Sequence, residues 1–370
     1  MHEWVQIFID VLIVGMAAVL IVFTLLLFIL HIISTSNRIR VERIKRWIMR
    51  ILSVNQDLEY RREQIYHLIK QDSEIKTLRD IRGIRSGRGT IALSMVVADV
   101  TPEQREQLRG IILHDEWYAA HVHKKLRSGN SAQVGVFTKL IADLKLTGFE
   151  DEVFENLYRF MSLADLQEIS MLALFMCGCE DRLLTLFADK SFRIILSFRQ
   201  LQEVFDNYSG DRARLFHELL GLDCDVYVTR VCIRGVGAEG LYDMCPKIEP
   251  YLSSGNVNVM IETIRSLGKL RYRPAADVIR ERTKHEVWSV RSTAVTALFK
   301  ICPDDCYEEL LSCLCDREWW VRFHAAEALS EIRGHESLIA DVKALGDRFA
   351  YEMMNYMLER KRLLSTEVPA

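Results

Sequence analysis

The most even run of apolar residues lies at 11–33 (VLIVGMAAVLIVFTLLLFILHII), where only Thr24 and His31 are distinctly polar. Its 23 residues exceed the roughly 20 that carry a helix across bilayer hydrocarbon. A signal peptide has a shorter apolar region behind a basic start and ahead of a small-residue cleavage site. Here Met1-His2-Glu3-Trp4 carries no Lys or Arg, and no such site follows. The pattern predicts one retained transmembrane helix preceded by a short extracytoplasmic N-terminus at 1–10. After it the apolar positions thin to a narrow helical seam, Ile44, Ile48, Ile51, Leu58, Ile65 and Ile69, with Asn55 and Arg62 on the same stripe. This juxtamembrane stalk, residues 34–90, reads as a helix on the membrane or packed back on the body. A short dimerising coiled coil is the other reading, and only about three heptads support it.

Residues 91–130 form a connecting region. Its apolar stretch, Thr90 to Val100, fits neither helix nor strand decisively, but Thr101-Pro102-Glu103-Gln104 signals a helix start. Thr at the cap position, Pro at the first helical position and Gln three residues on form a capping box. Beyond it the dominant pattern is a period of 31 residues. Val228, Val259, Val290 and Val321 fall in register, as do Ile233, Ile264, Val295 and Ala326, then Val236, Leu267, Leu298 and Leu329. Gly237 matches Gly268, Trp288 matches Trp319, and Arg291 matches Arg322. Each unit contains two helical stripes joined by a turn, such as 286–300 and 306–315 around Cys302-Pro303-Asp304-Asp305. Helices this short cannot cover an apolar face alone, so the pairs must stack on one another. Weaker pairs at 131–161, 163–190 and 191–222 extend the array backwards, with first helices over 131–146, 163–177 and 191–205. The sequence therefore predicts an all-α chain: about seven helix pairs stacked as an α-solenoid over 131–346, closed by a capping helix and tail at 347–370.

The segment Asp316-Arg317-Glu318-Trp319-Trp320-Val321-Arg322-Phe323-His324-Ala325-Ala326-Glu327-Ala328-Leu329 resembles the first helix of a HEAT repeat: an acidic start, Val-Arg, small residues, then Leu. Residues 285–298 repeat the pattern less fully. The 31-residue length is similar to the short HEAT-like repeats of bilin lyases, a likeness of architecture that brings no lyase residues with it. In the two earlier units Val226 and Val257 stand where the later ones have Trp, and Thr229 and Met260 replace the Arg. The resemblance implies a protein-binding scaffold. Similar single-span bacterial repeat proteins serve as accessory subunits of envelope-transport or polysaccharide-synthesis complexes.

Charge adds orientation. The chain's net charge is only −3, yet residues 38–50 hold Arg38, Arg40, Arg43, Lys45, Arg46 and Arg50 against the single acid Glu42. Basic residues on that side of the span place the C-terminal part in the cytoplasm, with anionic lipid headgroups as neighbours. The near-neutral total argues against nucleic acid as a partner. All nine cysteines lie far from the membrane within helical patterns, as small core residues of a reducing compartment. Arg79, Arg82, Arg85 and Arg88 form a ladder, either a basic solvated turn or an anion contact. His114, His121 and His123 share a helix, either as surface histidines or as a metal or acid–base cluster. No catalytic fingerprint, cofactor motif or metal-ligand spacing is found, so the chain reads as a non-enzyme without cofactor. Trp288 and Trp319 recur at one repeat position, Trp320 adds a third indole, and together they suit either a partner-binding patch or the seam between repeats. Two functions are thus expected: a membrane-anchored adaptor for a protein partner, dimeric if the stalk pairs, or a protein binding a phosphate-bearing ligand or metal near the Arg or His clusters.

Overall fold

A computed structural model describes residues 99–114, 116–332 and 338–366, together with positions 46 and 97. The expected transmembrane segment at 11–33 and nearly all of the stalk lie outside the described residues. Among the described residues no helix is long and apolar enough to cross a membrane. They form 17 helices and no strand, consistent with an α-solenoid, and the chain divides into two compact units at Cys177/Gly178.

In the first unit, α1 (Pro102–His114) opens at the capping box: Gln104 N–H donates to Thr101 Oγ1 at 3.3 Å, and Thr101 N–H to Gln104 Oε1 at 3.1 Å. Helices α2 (Glu116–Ser128), α3 (Ser131–Leu144), α4 (Glu150–Arg159) and α5 (Ala164–Met176) follow. Helix α3 packs along α5, and its Phe137, Leu140 and Ile141 are buried. Helix α4 packs on both α2 and α5. It also closes the end of α2: Asn156 donates to Leu126 O at 3.0 Å, and Arg159 to Arg127 O at 2.8 Å and Gly129 O at 3.0 Å. Carbonyls at a helix C-terminus have no intrahelical donor, so α4 supplies them from the side.

The second unit begins with α6 (Glu180–Ala188), α7 (Phe198–Asp206) and α8 (Arg212–Leu219). Helix α7 starts at Phe198, not at the expected Ser191. Ser197 and Gln200 make a reciprocal capping box there, which fixes the start, and the apolar residues before it (Phe192, Leu196) fill the core from non-helical backbone. The regular repeats come next. Their first helices are α9 (Val226–Glu239), α11 (Val257–Lys269), α13 (Trp288–Ile301) and α15 (Trp319–Glu331), and each packs on the next. The second helices are shorter: α10 (Cys245–Ile248), α12 (Ala276–Arg282), α14 (Tyr307–Leu314) and α16 (Leu338–Ala344). Around α10 the second element breaks into 3-10 and α pieces, because Pro246 and Pro250 remove backbone donors from it. Helix α17 (Arg348–Thr366) packs on α15 and α16.

The 31-residue register is the core of this unit. All twelve matched apolar positions, from Val228 to Leu329, are buried, eleven of them completely. Burial of such side chains stabilises by roughly 1.5–3 kcal/mol each before entropy is counted. The glycine match sets helix spacing. A Cβ on Gly237 would lie 2.7 Å from Ser266 Cβ, and one on Gly268 would lie 2.6 Å from Ala297 Cβ. These two glycines therefore let α9 meet α11, and α11 meet α13, at close backbone approach.

Candidate partner-binding edge

The last three regular repeats begin their first helices with the same local device. Two residues ahead, a side chain accepts from the backbone N–H at the helix entrance. Ser254 Oγ takes Asn256 N–H at 3.1 Å, His285 Nδ1 takes Val287 N–H at 3.1 Å, and Asp316 Oδ1 takes Glu318 N–H at 2.8 Å. These three positions are 31 residues apart. These bonds hold the turn just ahead of each helix and fix where the next side chains emerge.

What emerges is aromatic in the last two repeats. Trp288 and Trp319 are 42% and 44% exposed, and Trp320 is 51% exposed. Val226 and Tyr227 are exposed at the equivalent place on α9, and Val257 is half-buried on α11. The indoles therefore stand at the surface at the N-terminal ends of the first helices rather than filling the seam. Trp319 and Trp320 pack edge-on at 4.8 Å, and Trp319 stacks on Phe323 at 5.0 Å. Trp320 also lies flat against His324 at 6.2 Å.

A charged joint lies beneath this edge. Arg291, nearly fully buried, donates from Nη1 to the carbonyls of His285 (2.8 Å) and Glu286 (2.9 Å). Its Nε and Nη2 grip the Asp316 carboxylate of the following repeat at 2.7 and 2.8 Å. Burial opposes ionisation of Asp316. The Arg291 hydrogen bonds and the Glu318 N–H nevertheless hold its carboxyl below the usual range. Arg322 repeats the first half of this arrangement, with Nη1 on Asp316 O at 2.7 Å and Arg317 O at 3.1 Å. The Val-Arg signature thus ties each helix entrance to its own preceding turn. A cleft of about 460 Å³ opens between the two entrances, lined by Lys284, His285, Arg291, Asp316 and Arg317 among others.

The other residues singled out in the sequence fall elsewhere. Arg38, Arg40, Arg43, Lys45 and Arg50 lie outside the described residues, as do Arg79, Arg82, Arg85 and Arg88; Arg46 is helical and exposed. His114 ends α1. His121 and His123 sit on α2 and do different things. The His121 ring packs edge-on to Phe137 at 5.7 Å, while His123 Nδ1 bonds the buried Glu152 carboxylate at 2.8 Å. Arg127 reaches the same oxygen at 2.6 Å. Burial raises the Glu152 pKa, and its hydrogen bonds with His123 and Arg127 more than reverse this, leaving the carboxyl ionised below its ordinary range. Among the described residues no group of three or more His, Cys, Asp or Glu side chains is placed to hold a metal.

All nine cysteines are free thiols. Burial pushes Cys313 up to about 11 and Cys306 up to about 12, so thiolate is scarce at neutral pH. Sequence reasoning missed Glu152, the Arg291–Asp316 clamp and the buried Glu262, which pairs with Arg265 at 3.0 Å. The 31-residue spacing of Ser254, His285 and Asp316 was a signal available for these turns. The i, i+3 spacing of Glu262 and Arg265 on α11 was a second such signal, whereas Glu152 had none, because its partners lie on another helix.

No curated protein matches the chain. Among solved structures it is similar to the crystal structure of an engineered protein from a structural genomics consortium, at 16% identity and a TM-score of 0.37, covering 86% of this chain and 98% of that one. Residues 277–350, which contain the Arg291–Asp316 clamp and all three edge tryptophans, match the family model for HEAT repeats. That match, together with the stacked helix pairs, supports assignment of this part of the chain to the HEAT-repeat family.

Proposed function

We propose that the protein is a non-catalytic scaffold that captures a protein partner on the edge formed by Trp288, Trp319 and Trp320. The observation that carries this reading is the exposure of three indoles on adjacent repeat entrances held rigid by the Arg291 clamp. Large rigid aromatics on a fixed backbone bind at low conformational cost and dominate interface energies. HEAT repeats generally mediate protein–protein interaction, which agrees with this use.

The apolar segment at 11–33 and the basic residues after it support a tether: one transmembrane helix, with the repeats on the cytoplasmic side. A tethered scaffold searches for partners in a thin layer, which raises their effective concentration. In this reading the protein is an accessory subunit of a bacterial membrane complex, of the envelope-transport or polysaccharide-synthesis kind. That placement rests on the resemblance described above.

The test is capture from solubilised membranes with the full chain as bait. Trp288→Ala with Trp319→Ala should reduce partner recovery more than tenfold while circular dichroism stays unchanged, since hot-spot truncations typically cost about 2 kcal/mol or more each. Equal recovery would remove the edge from consideration. Deleting residues 11–33 should move the protein from the membrane pellet to the supernatant, and retention in the pellet would end the tether.

A further inference from the structure

Helix α17 carries a second apolar surface beside the tryptophan-bearing helix α15, where the Arg322 guanidinium lies 5.6 Å from the Phe349 ring. Its Ala350, Met353, Met354 and Met357 are buried. Phe349, Tyr356 and Leu363 are 63%, 53% and 65% exposed. They are spaced seven residues apart, so all three occupy one flank of the helix in a stripe about 21 Å long. Glu352 and Arg360 are exposed on the same flank. Both are already ordered there: Glu352 accepts from Arg348 Nε at 2.7 Å, and the Arg360 guanidinium lies 5.6 Å from the Phe323 ring.

This stripe is symmetric about Tyr356. In two antiparallel copies of α17 with Tyr356 against Tyr356, Phe349 reaches the height of Leu363 in the other copy. Glu352 then reaches the height of Arg360, and the two-fold axis makes each pairing twice. A parallel arrangement would instead set Glu352 against Glu352 and Arg360 against Arg360. Opposed charges favour the first register, and like charges disfavour the second. A lipid surface could use the exposed Arg348, Arg360, Lys361 and Arg362, but it would set Glu352 and Glu359 against anionic headgroups, whereas a second copy gives Glu352 a cationic partner. A different protein would have no reason to match the symmetry. We propose that this flank of α17 is the contact surface of an antiparallel, two-fold homodimer, with a second copy of this chain as its occupant. Such an interface is self-complementary and closes on itself.

The experiment is light scattering on the full chain in detergent over a concentration series, with Glu352→Arg, Arg360→Glu, and both together. Twice the chain mass is expected for the wild type. Each single reversal should weaken self-association by at least about tenfold, and the double variant should recover it. Tyr356→Cys should form an oxidised dimer above the background set by the nine native cysteines. This last arm keeps the proposal testable even if a charge reversal disturbs folding. A monomer at every concentration overturns it. So does a dimer indifferent to the single reversals, as one built through the stalk would be, and so does a double variant no stronger than the singles. Absence of the Tyr356→Cys crosslink overturns it as well.

Discussion

Replacing Arg291 with Met tests the joint beneath the tryptophan edge. Methionine keeps much of the stem's volume and removes every donor. Four charge-assisted hydrogen bonds vanish: two to the Asp316 carboxylate at 2.7 and 2.8 Å, and two to the His285 and Glu286 carbonyls at 2.8 and 2.9 Å. Asp316, only 13% exposed, would keep its hydrogen bond from Glu318 N–H but lose its counter-ion. Removing one member of a buried pair costs about 3–5 kcal/mol, and the residual exposure of Asp316 sets the expectation near ~3. In stacked repeats such a loss is local, carried by the interface between neighbours. Hydrogen exchange by mass spectrometry is therefore the assay, read over 285–331. At 1.4 kcal/mol per tenfold, exchange there should accelerate roughly hundredfold, while 131–176 stays unchanged.

Acid supplies an internal control for the same variant. The Asp316 carboxyl is depressed in the folded state, so its contribution is full above the ordinary carboxyl range and fades as pH falls through that range toward the folded value. The difference between wild type and Arg291→Met, corrected for intrinsic exchange, should shrink at pH 3. Arg291→Lys keeps the charge but not the planar fork, and should fall between the two. Exchange within threefold of wild type at pH 7, or an equal difference at pH 3, would refute the clamp.

Two further outcomes follow from the packing. Gly268→Ala drives a Cβ to 2.6 Å from Ala297 Cβ and should destabilise the second unit by about 1–3 kcal/mol in urea unfolding; adding Ala297→Gly should recover part of the loss, and a neutral Gly268→Ala would show that the helices can separate freely. Cys232, Cys306 and Cys313 should resist alkylation by iodoacetamide in the native protein and react on unfolding, because burial both shields them and raises their pKa; labelling of Cys306 at the rate of an open thiol would contradict its burial.

The 31-residue register determined the regular repeats before any coordinates. Val228, Val259, Val290 and Val321 must share an environment if the chain repeats, and stacking is the only way short paired helices can bury them. Capping chemistry was equally legible where it was read: Thr101 and Gln104 marked the start of α1. The same logic at Ser197 and Gln200 would have moved the start of α7 from 191 to 198. The tertiary structure decided everything that depends on which turn faces which helix. The sequence shows a carboxylate at 316 and an arginine at 291, but only stacking brings them to 2.7 Å. His123 read either as a surface histidine or as part of a metal or acid–base cluster, and α4 holds it against Glu152. Trp288 and Trp319 could have filled the seam or faced solvent, and periodicity reports equivalence without direction. Hydrophobic spacing fixes which residues share a face, whereas exposure depends on what the neighbouring helices leave uncovered.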